Sequence, residues 1–174
     1  MERHTRALLG WAMSDLVIRA ATADDLPAIS ALVQHTVRIS NGRDYPAQAV
    51  ELIVADFAPA KVGQRMTERD VFVCQKGGRI VGTIALGADR LRSLFVDPEL
   101  QRAGIGARLV SHLETHARKV GVSELKLSSS LTARGFYERL GYRLISLRST
   151  MACRPSSWSR RFPRRPRGRG WPGS

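Results

Sequence analysis

Leu94-Phe95-Val96-Asp97-Pro98-Glu99-Leu100-Gln101-Arg102-Ala103-Gly104-Ile105-Gly106-Ala107-Arg108-Leu109 reads as strand, turn and helix in immediate succession. Leu94-Phe95-Val96 is a short apolar run that Asp97-Pro98 stops. After the glycines, Ile105, Leu109, Leu113 and Val120 recur at helical spacing with Ala117 between them, one face of a helix. A strand entering a helix through glycines offers free backbone N–H groups to an anion. The first helical turn has four N–H groups without intrahelical partners, and the helix dipole adds about half a positive charge there. Gly104 and Gly106 let a bulky anion approach, and Arg102 and Arg108 add formal charge. The stretch therefore predicts a site for a phosphorylated ligand.

Two common phosphate loops are excluded. No Gly-x-x-x-x-Gly-Lys-Ser/Thr is present, and a dinucleotide fingerprint fails because Leu109 stands where its third glycine belongs. Gln101-Arg102-Ala103-Gly104-Ile105-Gly106 instead fits Gln/Arg-x-x-Gly-x-Gly/Ala. About thirty residues on stands Ala133-Arg134-Gly135-Phe136-Tyr137-Glu138-Arg139-Leu140-Gly141-Tyr142, an aromatic-Tyr pair followed by a glycine-closed short helix. In this order the two segments resemble the signatures of the GCN5-related N-acetyltransferase (GNAT) superfamily, and the resemblance covers residues 14 to 147.

The resemblance implies an acyltransferase that takes acetyl-CoA as co-substrate, needs no metal, and acts on a small-molecule or peptide amine. Coenzyme A would be held by Gln101, Arg102, Ala103, Gly104, Ile105, Gly106 and Ala107, and its thioester arm by the backbone of Leu94, Phe95 and Val96. Tyr137 falls where the family keeps a tyrosine near the coenzyme A sulfur, as general acid to the leaving thiolate and as a cofactor contact; Phe136 is expected to pack. Many relatives carry Asn at the position held here by Ser130, whose shorter side chain reaches less far toward the cofactor arm. For a base toward the acceptor amine, Asp89, Asp56, Glu51, Asp44 and His35 are candidates of equal standing, and Arg43 and Tyr45 are expected to shape the acceptor pocket.

Around this nucleus the sequence predicts a single α/β (α+β) domain, a mixed, mostly antiparallel sheet flanked by helices in the order β-α-α-β-β-β-α-β-α-β. Strands are expected at Leu16–Arg19, Val71–Gln75, Arg79–Leu86, Asp89–Val96, Leu125–Ser129 and Tyr142–Leu147. Lys76-Gly77-Gly78 predicts a hairpin turn, and Gly121 and Gly141 predict helix ends. Thr22 or Asp24 is expected to cap a first helix running to about Val37, and a second spans Ala47 to Phe57, with Pro59 ending it and a further short turn over 60–66.

Three segments follow: 1–13 as a loose extension with Met13 a candidate start, 14–150 as the domain, and 151–174 as an Arg/Pro-rich disordered tail. The chain has 174 residues and a formal charge of +13, seven of it from the arginines of residues 154–174, so the body is only moderately basic. The family's last strand is not visible there. An arginine tail in its place reads either as the product of a frameshift or as a basic arm. Nucleic acid is expected as a partner only through that arm, since no helix-turn-helix, zinc-finger or aromatic RNA-binding motif is present. An acyl-CoA-binding sensor without catalysis is the other alternative to the enzyme, and Tyr137 argues against it.

Cys74 and Cys153 lack metal-site spacing and are expected as free thiols in the cytoplasm. His112 and His116 are expected on a polar helix face rather than at a metal. No apolar run reaches the ~18 residues of a membrane span, and a homodimer is expected from the resemblance.

Overall fold

A computed structural model describes residues 15–42, 45–129, 133–146 and 156–163. The strands are β1 (Leu16–Ala20), β2 (Asp70–Lys76), β3 (Arg79–Gly87), β4 (Arg90–Val96), β5 (Glu124–Ser129), β6 (Arg143–Ser146) and β7 (Ser156–Arg161). The helices are α1 (Leu26–Asn41), α2 (Ala47–Asp56), α3 (Pro59–Glu68), α4 (Ile105–Lys119) and α5 (Arg134–Arg139). Single 3-10 turns stand at Ala23–Asp25 and Pro98–Leu100.

The strands form one sheet in the order β1-β2-β3-β4-β5-β7-β6. All neighbours are antiparallel except β4 and β5, which run parallel. Helices cover both faces, so β3 is buried along nearly its whole length. On one face α4 sets Ile105, Leu109, Leu113 and Ala117 against Phe72, Ile84 and Leu125. On the other, α1, α2 and α3 pack Ile29, Val33, Val37, Val54 and Val62 against Val73. A Cβ at Gly82 would lie 2.9 Å from Leu109 and 3.3 Å from Ile105, so that glycine sets how closely α4 can approach β3.

The mixed sheet flanked by helices is as the sequence predicts, with one helix and one strand more than expected. Pro59 does not merely end α2. It opens α3, a ten-residue helix whose Val62 is buried. The missing N–H and fixed φ of proline suit the first helical position. Val120 is 55 % exposed and caps α4 without joining the core, because the helix has closed one turn earlier on Ala117. His112 and His116 are half-buried rather than on a polar face; they lie edge-on to Phe72 at 4.8 and 5.0 Å.

The larger correction concerns the tail. Residues 151–174 were expected to be disordered throughout, yet Ser156–Arg161 is β7, paired on both sides, by β5 across six positions and by β6. Trp158 is 1 % exposed and Phe162 is buried beside it. A strand between two others takes its backbone hydrogen bonds from both, so a single large apolar anchor suffices and no alternation of apolar residues is needed. Residues 1–13, Asp44, Arg43, Ser130, Leu147 and Cys153 lie outside the described residues.

Candidate active site

β4 and β5 touch at one place. Arg90 pairs with Lys126, the Lys126 N–H donates to the Asp89 carbonyl at 2.9 Å, and the Lys126 ammonium meets the Asp89 carboxylate at 2.6 Å. Beyond that point the strands part, and a cleft of about 490 Å³ opens between them. Leu91 to Phe95 line one side, and Ser128, Ser129, Ala133 and Tyr137 the other.

On the β3 side, β4 carries a bulge. Thr83 pairs with Phe95 and Ala85 with Arg92, so Ser93 and Leu94 together oppose Ile84, and Ser93 takes φ 54°. On the β5 side, Leu94, Phe95 and Val96 have no strand partner. Apart from the Val96 carbonyl, which Gln101 and Thr36 approach, that edge is open to a ligand in an otherwise paired sheet.

The strand's end is fastened. The Asp97 N–H donates to Val81, while its carboxylate accepts from Glu99 N–H at 3.0 Å and from Arg79 at 2.6 Å. Gln101 reaches back to the Val96 carbonyl at 3.4 Å, and the Thr36 hydroxyl of α1 approaches the same oxygen at 3.5 Å. The turn Gln101–Gly104 then delivers the chain into α4. Arg102 stands at φ 68° and Gly104, the residue before the helix, at φ 80°. A side chain is strained in that left-handed conformation, and Gly avoids the cost. A Cβ at Gly106 would meet the Phe136 ring at 3.4 Å and Val96 at 3.8 Å, an ordinary contact. Phe136 thus joins the glycine turn to α5, in the packing role expected of it.

Tyr137 is the one titratable side chain among the described residues facing the cleft from α5. Its ring lies edge-on to Phe136 at 5.0 Å and to Tyr142 at 5.7 Å. Burial pushes its phenol up to about 12, so it stands as a proton or hydrogen-bond donor at any physiological pH. Gly141 turns the chain after α5, and the Tyr142 N–H donates back to the Tyr137 carbonyl at 3.0 Å, which fixes the base of the tyrosine.

Of the four described carboxylate and histidine candidates for a base, Asp56 alone lines the cleft. Burial raises its pKa, but hydrogen bonds from Arg65 and Lys61 overcome this and hold it below the usual carboxylate range. Glu51 is paired with Arg38 and Asp89 with Lys126, each also lowered by those bonds. His35 is exposed on α1. Carboxylates so stabilised are weak bases. Among the cleft residues the sequence did not single out are its three arginines, Arg65, Arg69 and Arg92. No local motif marks them, since they come from α3, the residue after it, and β4.

The molecule's likenesses agree with this geometry. The family model described as the acetyltransferase (GNAT) domain matches residues 41–152. An uncharacterized N-acetyltransferase of Escherichia coli (strain K12), YafP, is 26% identical over 150 residues, 86% of this chain and 95% of that protein. The fold resembles the crystal structure of a GCN5-related N-acetyltransferase from Rhodopseudomonas palustris at TM-score 0.77 and 21% identity, over 86% of this chain and 98% of that one. It also resembles the PaiA N-acetyltransferase of Thermoplasma acidophilum in complex with coenzyme A, at TM-score 0.72 and 16% identity, over 84% and 99%.

Proposed function

The chain belongs to the GNAT acetyltransferase family, and from that premise we propose that it is an acetyl-CoA-dependent N-acetyltransferase using Tyr137 as the acid at the leaving sulfur. The observation that carries this is the cleft itself: unpaired β4 backbone on one wall, a buried phenol on the other, and the glycine turn just past Val96. When bound, acetyl-CoA supplies a thioester whose carbonyl carbon bonds to the amine nitrogen as the C–S bond breaks, the nitrogen losing one proton and the sulfur gaining one.

The residues fit that co-substrate. Gly104 and Gly106 give a turn whose backbone an anion can approach, at the N-terminus of a fifteen-residue helix. The β5-facing backbone of Leu94–Val96, the Val96 carbonyl excepted, can pair with an amide-bearing arm and donate to the thioester oxygen. The Tyr137 hydroxyl donates to the sulfur as negative charge develops on it. An alkyl thiol has a reference pKa of ~8.5, and the burial that raises the phenol also penalises a thiolate, so the gap between them does not widen by the whole of the phenol's shift. Among the described residues no strong base lines the cleft, and the amine's proton is released to water at the open mouth. That the PaiA relative was crystallised with coenzyme A supports the cofactor assignment.

The test is calorimetric titration of acetyl-CoA into the wild type and into a Gly104→Asp, Gly106→Asp double variant whose folding is verified by circular dichroism. Micromolar binding lost in the variant is expected; no binding by a folded wild type overturns the proposal.

A further inference from the structure

Acetyl transfer does not account for the cleft's arginines. Arg69, Arg92 and Arg65 line the same cleft as Tyr137, toward the N-terminal half of β4. Arg65 is occupied: it donates to the Asp56 carbonyl at 2.7 Å and to the Asp56 carboxylate, and its guanidinium lies 4.8 Å from the Phe57 ring centroid. Asp56 also takes Lys61 at 3.3 Å, so its charge is already shared between two cations. Among the described residues neither Arg69 nor Arg92 makes a hydrogen bond or ion pair. Asp89, the acid that acts on Arg92, is engaged by Lys126 at 2.6 Å. Arg92 is itself exposed on β4; partial desolvation and the neighbouring Arg90 and Arg69 push its pKa down, which marks a spot rich in positive charge. Arg69 is also held in place, its stem lying where a Cβ on Gly87 would be 3.4 Å away.

The co-substrate's phosphates do not explain this pair. The glycine turn, Gln101–Gly104, lies beyond Val96, and Arg92 stands four residues before Val96, at most about 13 Å back because the bulge at Ser93 shortens the strand. The arginines are thus at the opposite end of β4 from the expected phosphate site, with the thioester position between. An anion placed between two guanidinium groups relieves their repulsion and gains charge-assisted, potentially bidentate bonds.

We propose that the acceptor is an amine bearing a carboxylate or phosphate group, which Arg69 and Arg92 hold so that its amino end points along β4 toward Tyr137. This rests on the acetyltransferase function proposed above.

The experiment compares acetylation of matched amines by wild type, Arg69→Gln and Arg92→Gln: ethanolamine against phosphoethanolamine, glycinamide against glycine, glucosamine against glucosamine 6-phosphate. Acetyl-CoA affinity is measured on each protein in parallel. The anionic member of at least one pair should be favoured about tenfold or more in kcat/KM, each variant removing most of that preference, with acetyl-CoA binding unchanged. Phosphate and carboxylate pairs show which anion is meant. Equal or better use of the neutral members, or a preference that survives both substitutions, overturns the proposal. If no member is acetylated, binding of phosphoethanolamine and glycine to coenzyme A-saturated protein decides: binding lost in both variants supports it, and no binding overturns it. Failure of acetyl-CoA to bind the wild type overturns the acetyltransferase function instead, and this inference with it.

Discussion

Tyr137 and Asp25 are both buried, yet their protonation is set in opposite directions. Tyr137 has no charged partner among the causes of its shift; desolvation alone raises its phenol to about 12. It therefore stays protonated throughout an ordinary assay, and no descending limb from this residue should appear in kcat against pH below about pH 11. The ascending limb should follow the acceptor amine, which reacts only when neutral. Thiol release measured from pH 6 to 10 checks both limbs. Tyr137→Phe should lower kcat by about 10²–10³ with the acetyl-CoA affinity unchanged; an unaltered kcat would remove the tyrosine from the chemistry.

Asp25 is buried too, but Arg19 donates to both its oxygens at 2.7 Å, and the Thr22 N–H and hydroxyl donate at 2.7 and 3.1 Å. The Arg19 bonds, with Thr22 adding to them, hold its carboxyl well below the usual range despite burial. Because its folded-state pKa lies below the unfolded value of ~3.9, this stabilisation is complete above about pH 4 and is lost as pH falls further. Asp25→Asn should lower Tm at pH 7 and flatten the acid side of the Tm–pH curve, as differential scanning calorimetry would register.

At the scale of elements, α4 binds two distant parts of the chain. Its N-terminus receives the glycine turn, and its buried Glu114 meets Arg160 of β7 at 3.0 Å and Arg118 at 3.6 Å. Removing Arg160 leaves a carboxylate that is 4 % exposed with one weaker partner. Loss of one partner of a buried pair is severe, softened here because Arg160 is partly in water and Arg118 remains. Arg160→Ala should cost about 2 kcal/mol, a fall in Tm of roughly 4–8 °C for a chain of this size. Thermal unfolding of the variant beside Glu114→Gln reads the effect.

The glycine turn and Tyr137 were legible in the sequence because each sits in a run of neighbouring residues whose geometry is local. The cleft's arginines were not, because Arg69 and Arg92 come together only when β4 is placed beside β3 and the chain entering β2. α3 was missed for a related reason: Pro59 signals the end of one helix and the start of the next equally well.

For the whole molecule, β7 decides whether half the sheet exists. Among the described residues β6 pairs with β7 alone, and β5 meets β4 at a single pair. Trp158→Ala should cost about 3–5 kcal/mol, and a chain ending at Arg154 should yield no folded monomer on size-exclusion chromatography. A truncated chain that still binds acetyl-CoA and unfolds cooperatively would show that β7 is dispensable. The sequence hid this strand because its polar residues, Ser156, Ser157, Ser159 and Arg160, present no alternation, and one tryptophan supplies nearly all of the signal.

The same insertion orders events during synthesis. β5 and β6 are made before β7, and neither edge can be closed by anything emerging earlier. While translation continues, both edges and the Trp158 pocket stand open, the kind of surface that chaperones engage and that aggregates when they do not. A product that stops short of residue 161 therefore leaves the ribosome with β5 and β6 unsealed, and proteolytic quality control can tell it from a chain carrying β7 by that strand alone.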